Sequence, residues 1–163
     1  MSIRFNADEI FEIAIKIENN GYLFYKRAGE IQDDDSYRAF FNDLASMEVE
    51  HKKIFSDMQK KLTSEQNADV IDPQGEAAQY LHYLADSHGG EGTPLDAVEL
   101  DESVSVREIV RKAVEMEKVS ILYYSGLKEM VPQSLGKDLV DRIITEERRH
   151  VAQLSQVLRE MPS

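Results

Sequence analysis

Cysteine is absent from the 163-residue sequence, and that absence removes several classes of site. Without thiols the chain cannot form disulfides, thiolate metal sites or a built-in iron–sulfur cluster. No stretch approaches the roughly 20 apolar residues that a membrane-spanning helix needs. The first residues, MSIRFNADEIFEI, also lack the apolar segment of a secretory signal. The sequence therefore predicts a cytoplasmic protein that does not enter a membrane.

Basic residues are scarce, with 19 Lys and Arg against 31 Asp and Glu and a net charge of -12. Nucleic acid is excluded as a partner because its phosphates would be repelled, whereas cations would be attracted. The length of 163 residues and the hydrophobic content of 42% are sufficient for one domain with its own core, spanning residues 1–163.

Apolar periodicity predicts four long helices and one short one. Two of the starts carry the spacing of a capping box, Asn6 with Glu9 and Ser105 with Glu108. The polar IQDDDS and Pro132 supply two short links, while the long connection contains the helix-like segment GEAAQYLHYLAD. Two short links and one long crossover predict an all-α, ferritin-like four-helix bundle made of two hairpins. The predicted bounds are residues 6–30 and 36–62 for hairpin 1, 63–102 for the connection, and 105–130 followed by a helix ending near 161 for hairpin 2.

Both hairpins place acids and a histidine where core residues belong. In the second helix, MEVEH puts Glu48 and His51 into an apolar stripe, and in the fourth helix EERRH repeats the pattern 99 residues later. The first and third helices repeat a Glu-x6-Tyr motif at the same offset, so the chain is an internal duplication of a helix hairpin. The polar residues in the four stripes are Glu18, Glu48, His51, Glu117, Glu147 and His150.

Four buried carboxylates require compensating charge, because each would otherwise cost several kcal/mol in a poor dielectric. Two divalent cations balance four glutamates, and two neutral imidazoles complete the coordination. Carboxylate with imidazole suits iron or manganese better than a softer metal. One Glu-x-x-His pair on a helix is ordinarily a surface pair. Two such pairs in register at core positions predict a di-metal centre instead.

These motifs resemble the rubrerythrin-like branch of the ferritin-like superfamily, over both predicted hairpins. The resemblance implies a catalytic centre with two iron ions, or manganese, held by the six polar residues of the stripes. Glu48 and Glu147 would bridge the metals, with Glu18 and Glu117 as terminal ligands. The tyrosines of the Glu-x6-Tyr motifs, Tyr25 and Tyr124, would donate hydrogen bonds to the carboxylates; taken alone, they are ordinary core aromatics.

The sequence departs from the rubrerythrin pattern at two points. Rubrerythrins usually carry a rubredoxin domain with four cysteines, so here a separate donor protein would have to supply electrons. They also carry a further carboxylate three residues after the third-helix glutamate, where this chain has Ser120. Gly21 holds the equivalent place in the first helix. These two small residues predict either a pocket through which peroxide or oxygen reaches the metals, or close helix packing.

Three other residues have alternative interpretations. Glu146 either orients the histidine of the opposite hairpin or is an exposed acid, and Met47 takes its place in the first half. His82 and His88 are six residues apart, which is not one helical face, and we expect solvent or packing roles for both.

The resemblance implies a non-haem di-iron oxidoreductase that reacts with hydrogen peroxide or dioxygen. One alternative is a ferroxidase or iron-handling protein without cage storage, since 13 residues follow His150 and leave no room for a fifth C-terminal helix. A structural metal-binding bundle is the second alternative. We expect a homodimer, in which the hairpins of one chain pair with each other or are exchanged between two chains.

Overall fold

The computed structural model describes residues 7–64, 75–87 and 100–162, and all regular structure in these residues is helical. The predicted all-α class is confirmed. Within the same residues, no helix has the length and apolar content to cross a bilayer. The elements are α1 (Ala7–Glu30), α2 (Asp35–Ser64), α3 (Glu76–Ser87), α4 (Val106–Met130), a 3-10 turn (Gln133–Leu135) and α5 (Lys137–Glu160).

Helix ends follow from local hydrogen bonding. The predicted capping box of α4 is confirmed, because the Ser105 hydroxyl accepts from the Glu108 N–H and the Glu108 carboxylate accepts from the Ser105 N–H. The capping residue predicted for α1, Asn6, lies outside the described residues. Before α5, Gly136 has a φ of 114°, a left-handed conformation that glycine adopts without steric cost.

The long helices pack as two hairpins that face each other. α1 lies along α2 and α4 lies along α5, while the hairpins meet through contacts of α1 with α4 and of α2 with α5. α3, which belongs to the crossover, packs against α4. The bundle therefore has four inward faces that can contribute side chains to one central layer.

Two apolar clusters form the core, one on either side of that layer. Along α1, the buried residues of the first cluster end at Ile17 and those of the second begin at Phe24. The other long helices divide in the same way. Burying one large apolar side chain contributes roughly 1.5–3 kcal/mol, so the clusters stabilise the bundle on both sides of a costly polar layer. That layer consists of Glu18, Glu48, His51, Glu117, Glu147 and His150.

Candidate metal centre

The six predicted ligands lie together in the centre of the bundle. None exposes more than 4% of its surface, and Glu18, Glu147 and His150 expose none. Their donor atoms fall into two groups, in each of which the atoms lie within 4.8 Å of one another. Both groups contain Glu48 and Glu147. One group adds Glu18 and His51 from hairpin 1, and the other adds Glu117 and His150 from hairpin 2.

Glu147 lies close to both histidines of the layer. Its Oε1 lies 2.9 Å from His51 Nδ1, and its Oε2 lies 3.1 Å from His150 Nδ1. The imidazole rings are stacked with centroids 6.0 Å apart. Both histidines therefore present Nδ1 to the cluster, as ligands of two adjacent metal positions would.

Several of these atoms lack a hydrogen-bond partner within the described part of the chain. They are Glu18 Oε2, Glu48 Oε1, His51 Nδ1 and Glu147 Oε1. His51 Nδ1 and Glu147 Oε1 are close but not aligned as a hydrogen bond requires. Buried polar atoms without a partner destabilise the fold, and each of these four is a carboxylate oxygen or an imidazole nitrogen that can bind a metal ion. The residues present therefore fit a pair of divalent metal ions, of the iron or manganese type.

The two tyrosines connect the hairpins. Tyr25 on α1 donates its hydroxyl hydrogen to Glu117 Oε1 on α4, and Tyr124 on α4 donates to Glu18 Oε1 on α1. The resemblance implied that both tyrosines donate to carboxylates, and the structure pairs each of them with the glutamate of the other hairpin. Burial, followed by the nearby glutamates, raises the pKa of both hydroxyls well above the usual value. Both tyrosines therefore remain protonated donors.

The histidines differ in the partner of their second ring nitrogen. His51 Nε2 lies 2.7 Å from Glu146 Oε2, and Arg142 Nε donates to Glu146 Oε1 at 3.0 Å. Burial opposes ionisation of Glu146, yet hydrogen bonds from Arg142 and His51 hold its pKa below the usual value. Of the two interpretations of Glu146, the structure places it as a partner of the opposite histidine. His150 Nε2 instead lies 3.3 Å from Met47 Sδ.

Proton sharing balances the charge of the carboxylates when no metal is bound. Burial, followed by neighbouring glutamates, raises the pKa of Glu48 and of Glu117 well above the usual value. Burial also opposes ionisation of Glu147, but the neighbouring Glu117, His150 and His51 bring its pKa below that value. The layer therefore retains protons on some carboxylates while Glu147 is charged.

The imidazoles supply positive charge in the same metal-free layer. Burial opposes protonation of His51, but Glu147 and Glu18 raise its pKa to about 11. For His150, burial is outweighed by Glu117 and Glu147, which raise the pKa to about 9. Metal binding at Nδ1 must release these protons, because a histidine ligand is neutral.

Comparison with known proteins supports the metal centre that the geometry suggests. The rubrerythrin family model matches residues 9–158, which is most of the chain. The chain belongs to the rubrerythrin family. A solved structure described as a ferritin-like diiron-carboxylate protein from Thermotoga maritima has a TM-score of 0.66 at 22% identity and covers 96% of each chain. This similarity confirms the ferritin-like fold. No curated protein matches the chain.

This rubrerythrin-family chain has two small residues, Gly21 and Ser120, three residues after Glu18 and Glu117. A Cβ added at Gly21 would lie 2.9 Å from Glu48 Oε2, so glycine makes room for that carboxylate. The Ser120 hydroxyl donates to the Met116 carbonyl at 3.2 Å. The oxidant pocket predicted at both residues stays a prediction. The side chain of His82 and all of His88 lie outside the described residues.

Proposed function

We propose that the chain is a non-haem di-iron oxidoreductase in which ferrous iron reacts with hydrogen peroxide or dioxygen. The observation that carries the proposal is the pair of four-residue groups that share Glu48 and Glu147. Two shared carboxylates can bridge two ions. Each group then adds one glutamate and one histidine of its own, which matches the ligand set of carboxylate di-metal centres in helix bundles.

The chain contributes position, charge and exclusion of water to this chemistry. When bound, two ferrous ions supply the two electrons that reduce one hydrogen peroxide, with two protons, to two waters. The glutamates provide four negative charges, and Tyr25 and Tyr124 orient the terminal glutamates Glu117 and Glu18. Burial of the whole layer keeps bulk water away, so its charges interact more strongly than they would in solvent.

After each oxidation, the metal centre must be reduced again by an electron donor. The sequence has no cysteine with which to hold a rubredoxin-type iron site, so a separate protein would re-reduce the centre.

We also propose a homodimer, either with intact bundles or with exchanged hairpins. Size-exclusion chromatography with light scattering measures the mass, and a monomer at all concentrations would refute the dimer.

Metal content and single-turnover kinetics test the proposal together. Chelator-treated protein loaded anaerobically with ferrous iron should hold two ions per chain. Rapid mixing with peroxide, and separately with oxygen, should then oxidise the iron. His150→Ala should lower the metal content, whereas Arg159→Ala at an exposed position near the end of α5 is the control. Two bound ions that neither reagent oxidises would leave a structural metal-binding bundle.

The relative rates of oxidation by peroxide and by oxygen, and the fate of the oxidised iron, distinguish an oxidoreductase from an iron-handling protein. A peroxidase of this kind should be oxidised faster by peroxide than by oxygen and should turn over with an added electron donor. A ferroxidase should instead release ferric iron and accept fresh ferrous iron without a donor. Release of iron after each oxidation would therefore favour the iron-handling alternative.

A further inference from the structure

The two halves of the layer differ at one pair of repeat-related positions. Glu146 on α5 lies 99 residues after Met47 on α2, and each contacts the histidine of the opposite hairpin. His51 Nε2 lies 2.7 Å from Glu146 Oε2, whereas His150 Nε2 lies 3.3 Å from Met47 Sδ. One histidine thus meets a carboxylate and the other a thioether.

The difference extends one residue further toward the surface. Arg142 Nε donates to Glu146 Oε1 at 3.0 Å, and its position in the first half is held by Asp43, an exposed acid. The Glu146 side chain is 16% exposed and that of Arg142 is 57% exposed. A hydrogen-bonded series from His51 through Glu146 to Arg142 therefore exists in one half, while the other half ends at a sulfur atom.

The remaining ligands do not distinguish the two halves. Glu48 and Glu147 belong to both groups of donor atoms. Each group then adds one glutamate, one histidine presenting Nδ1, and one tyrosine hydroxyl on its glutamate. The partners of the histidine Nε2 atoms, in contrast, differ between the two groups.

Those partners have unequal effects on a ligating imidazole. A carboxylate accepts a strong, charge-assisted hydrogen bond, whereas a thioether sulfur is a weak acceptor. A carboxylate on the outer nitrogen fixes the ring and its tautomer and makes the inner nitrogen a stronger ligand, and removal of such a partner typically costs about 10- to 100-fold in metal affinity. The negative charge of Glu146 also attracts a cation.

We propose that the two metal positions are inequivalent, and that Glu146 and Met47 are positioning residues that set the order of loading. The position of Glu18 and His51 binds the first divalent ion about 10- to 100-fold more tightly than the position of Glu117 and His150 binds the second. This inference rests on the di-metal centre of the proposed function.

Anaerobic calorimetric titration of the metal-free full-length chain with ferrous iron tests this order. The unchanged protein should show two binding steps of different affinity. Glu146→Met should weaken only the tight step, by about 10- to 100-fold, so that the two steps merge. His51→Ala should remove the tight step and His150→Ala the weak one.

The internal repeat supplies a gain-of-function variant. Met47→Glu combined with Asp43→Arg gives His150 the same partners that His51 has. This double variant should tighten the weak step by about 10- to 100-fold. Adding it to Glu146→Met should restore two steps in reversed order, so that His150→Ala then removes the tight one. A purely structural role would not move affinity from one position to the other.

Controls separate the inference from the proposed function. Glu129→Met removes one exposed acid near the end of α4 and should leave both steps unchanged. If Glu146→Met fails to fold by circular dichroism, Glu146→Gln provides the same comparison with the shape preserved. Two bound ions with equal constants, or constants unaffected by Glu146→Met or Glu146→Gln, would overturn the inequivalence and leave the di-metal centre intact. Absence of ferrous binding in every variant would overturn both proposals.

Discussion

At the scale of single residues, Gly21 is explained by the carboxylate beside it. Glycine inside a helix costs roughly 1 kcal/mol relative to alanine. A Cβ at this position would lie 2.9 Å from Glu48 Oε2, which is too close for the two atoms to remain where they are. The preference for glycine here follows from the position of a metal ligand, whereas the equivalent Ser120 already carries a Cβ.

Gly21→Ala should therefore separate metal affinity from helix stability. In metal-free protein the Glu48 side chain can move aside, so the melting temperature should stay the same or rise, because alanine favours the helix. With metal bound, Glu48 is held in place, and we expect affinity for ferrous iron to fall about tenfold or more. Ser120→Ala is the matched control, with affinity expected to stay constant. An unchanged affinity in Gly21→Ala would show that the close approach to Glu48 is unimportant.

The hydroxyl groups of two adjacent tyrosines allow a second test at this scale. Tyr124 donates to Glu18, whereas Tyr123 donates to the Ile10 carbonyl at 3.0 Å. Both are buried, so either Tyr→Phe change should destabilise the bundle by about 1 kcal/mol. Tyr124→Phe alone should also lower ferrous affinity, by about tenfold or more, because it releases a metal ligand. Equal affinities of the two variants in anaerobic titration would refute a role for Tyr124 in orienting Glu18.

At the scale of helices, the capping box of α4 is a local feature with a measurable effect. Ser105 and Glu108 each satisfy a backbone N–H of the other at the start of the helix. Ser105→Ala should lower the stability of the metal-loaded protein by about 1 kcal/mol, which corresponds to about 2–4 °C in melting temperature. Ser46→Ala, at an exposed position inside α2, should cause little change. Equal melting temperatures for both variants would contradict the capping role.

The sequence predicted the helices and the ligand layer because both depend on local periodicity. Glu48 and His51 stand out in a single helix as polar interruptions of an apolar stripe, and the 99-residue offset repeats them. Contacts between hairpins leave a weaker signal. The sequence left Glu146 open between a partner of the opposite histidine and an exposed acid, and it did not specify which glutamate each tyrosine contacts. The pairing of Tyr25 with Glu117, and of Glu146 with His51, depends on how two separate hairpins face each other.

At the scale of the whole molecule, the buried layer links metal binding to pH and stability. Without metal, His51 and His150 have folded-state pKa values of about 11 and about 9, above the usual histidine value of 6.5. A raised pKa stabilises the folded protein fully below the unfolded value, and this stabilisation is lost as the pH rises through the folded value. The pKa values of Glu48 and Glu117 are also raised, so these two residues likewise reduce the stability of the folded protein as the pH rises above the usual carboxyl value.

Glu147 acts in the opposite direction at the acidic end of the range. Its pKa is lowered on folding, so its stabilising effect is present above the usual carboxyl value and is lost as the pH falls below it. The metal-free bundle should consequently be most stable at mildly acidic pH, close to the usual pKa of carboxyl groups, because Glu48 and Glu117 reduce its stability above that value. Above the usual pKa of histidine, the four raised pKa values all reduce its stability.

Bound metal should reverse this dependence of the bundle's stability on pH. Metal ions displace the protons of the layer, so their binding strengthens as the pH rises and the ligands deprotonate. We expect the melting temperature of chelator-treated protein to fall between pH 6.5 and pH 9, and the increase produced by saturating manganese to grow between pH 5.5 and pH 7.5, where manganese stays soluble and is not oxidised by air. His51→Ala with His150→Ala should flatten the metal-free profile. A metal-free melting temperature that rises between pH 6.5 and pH 9 would mean that the layer is not protonated as its geometry requires.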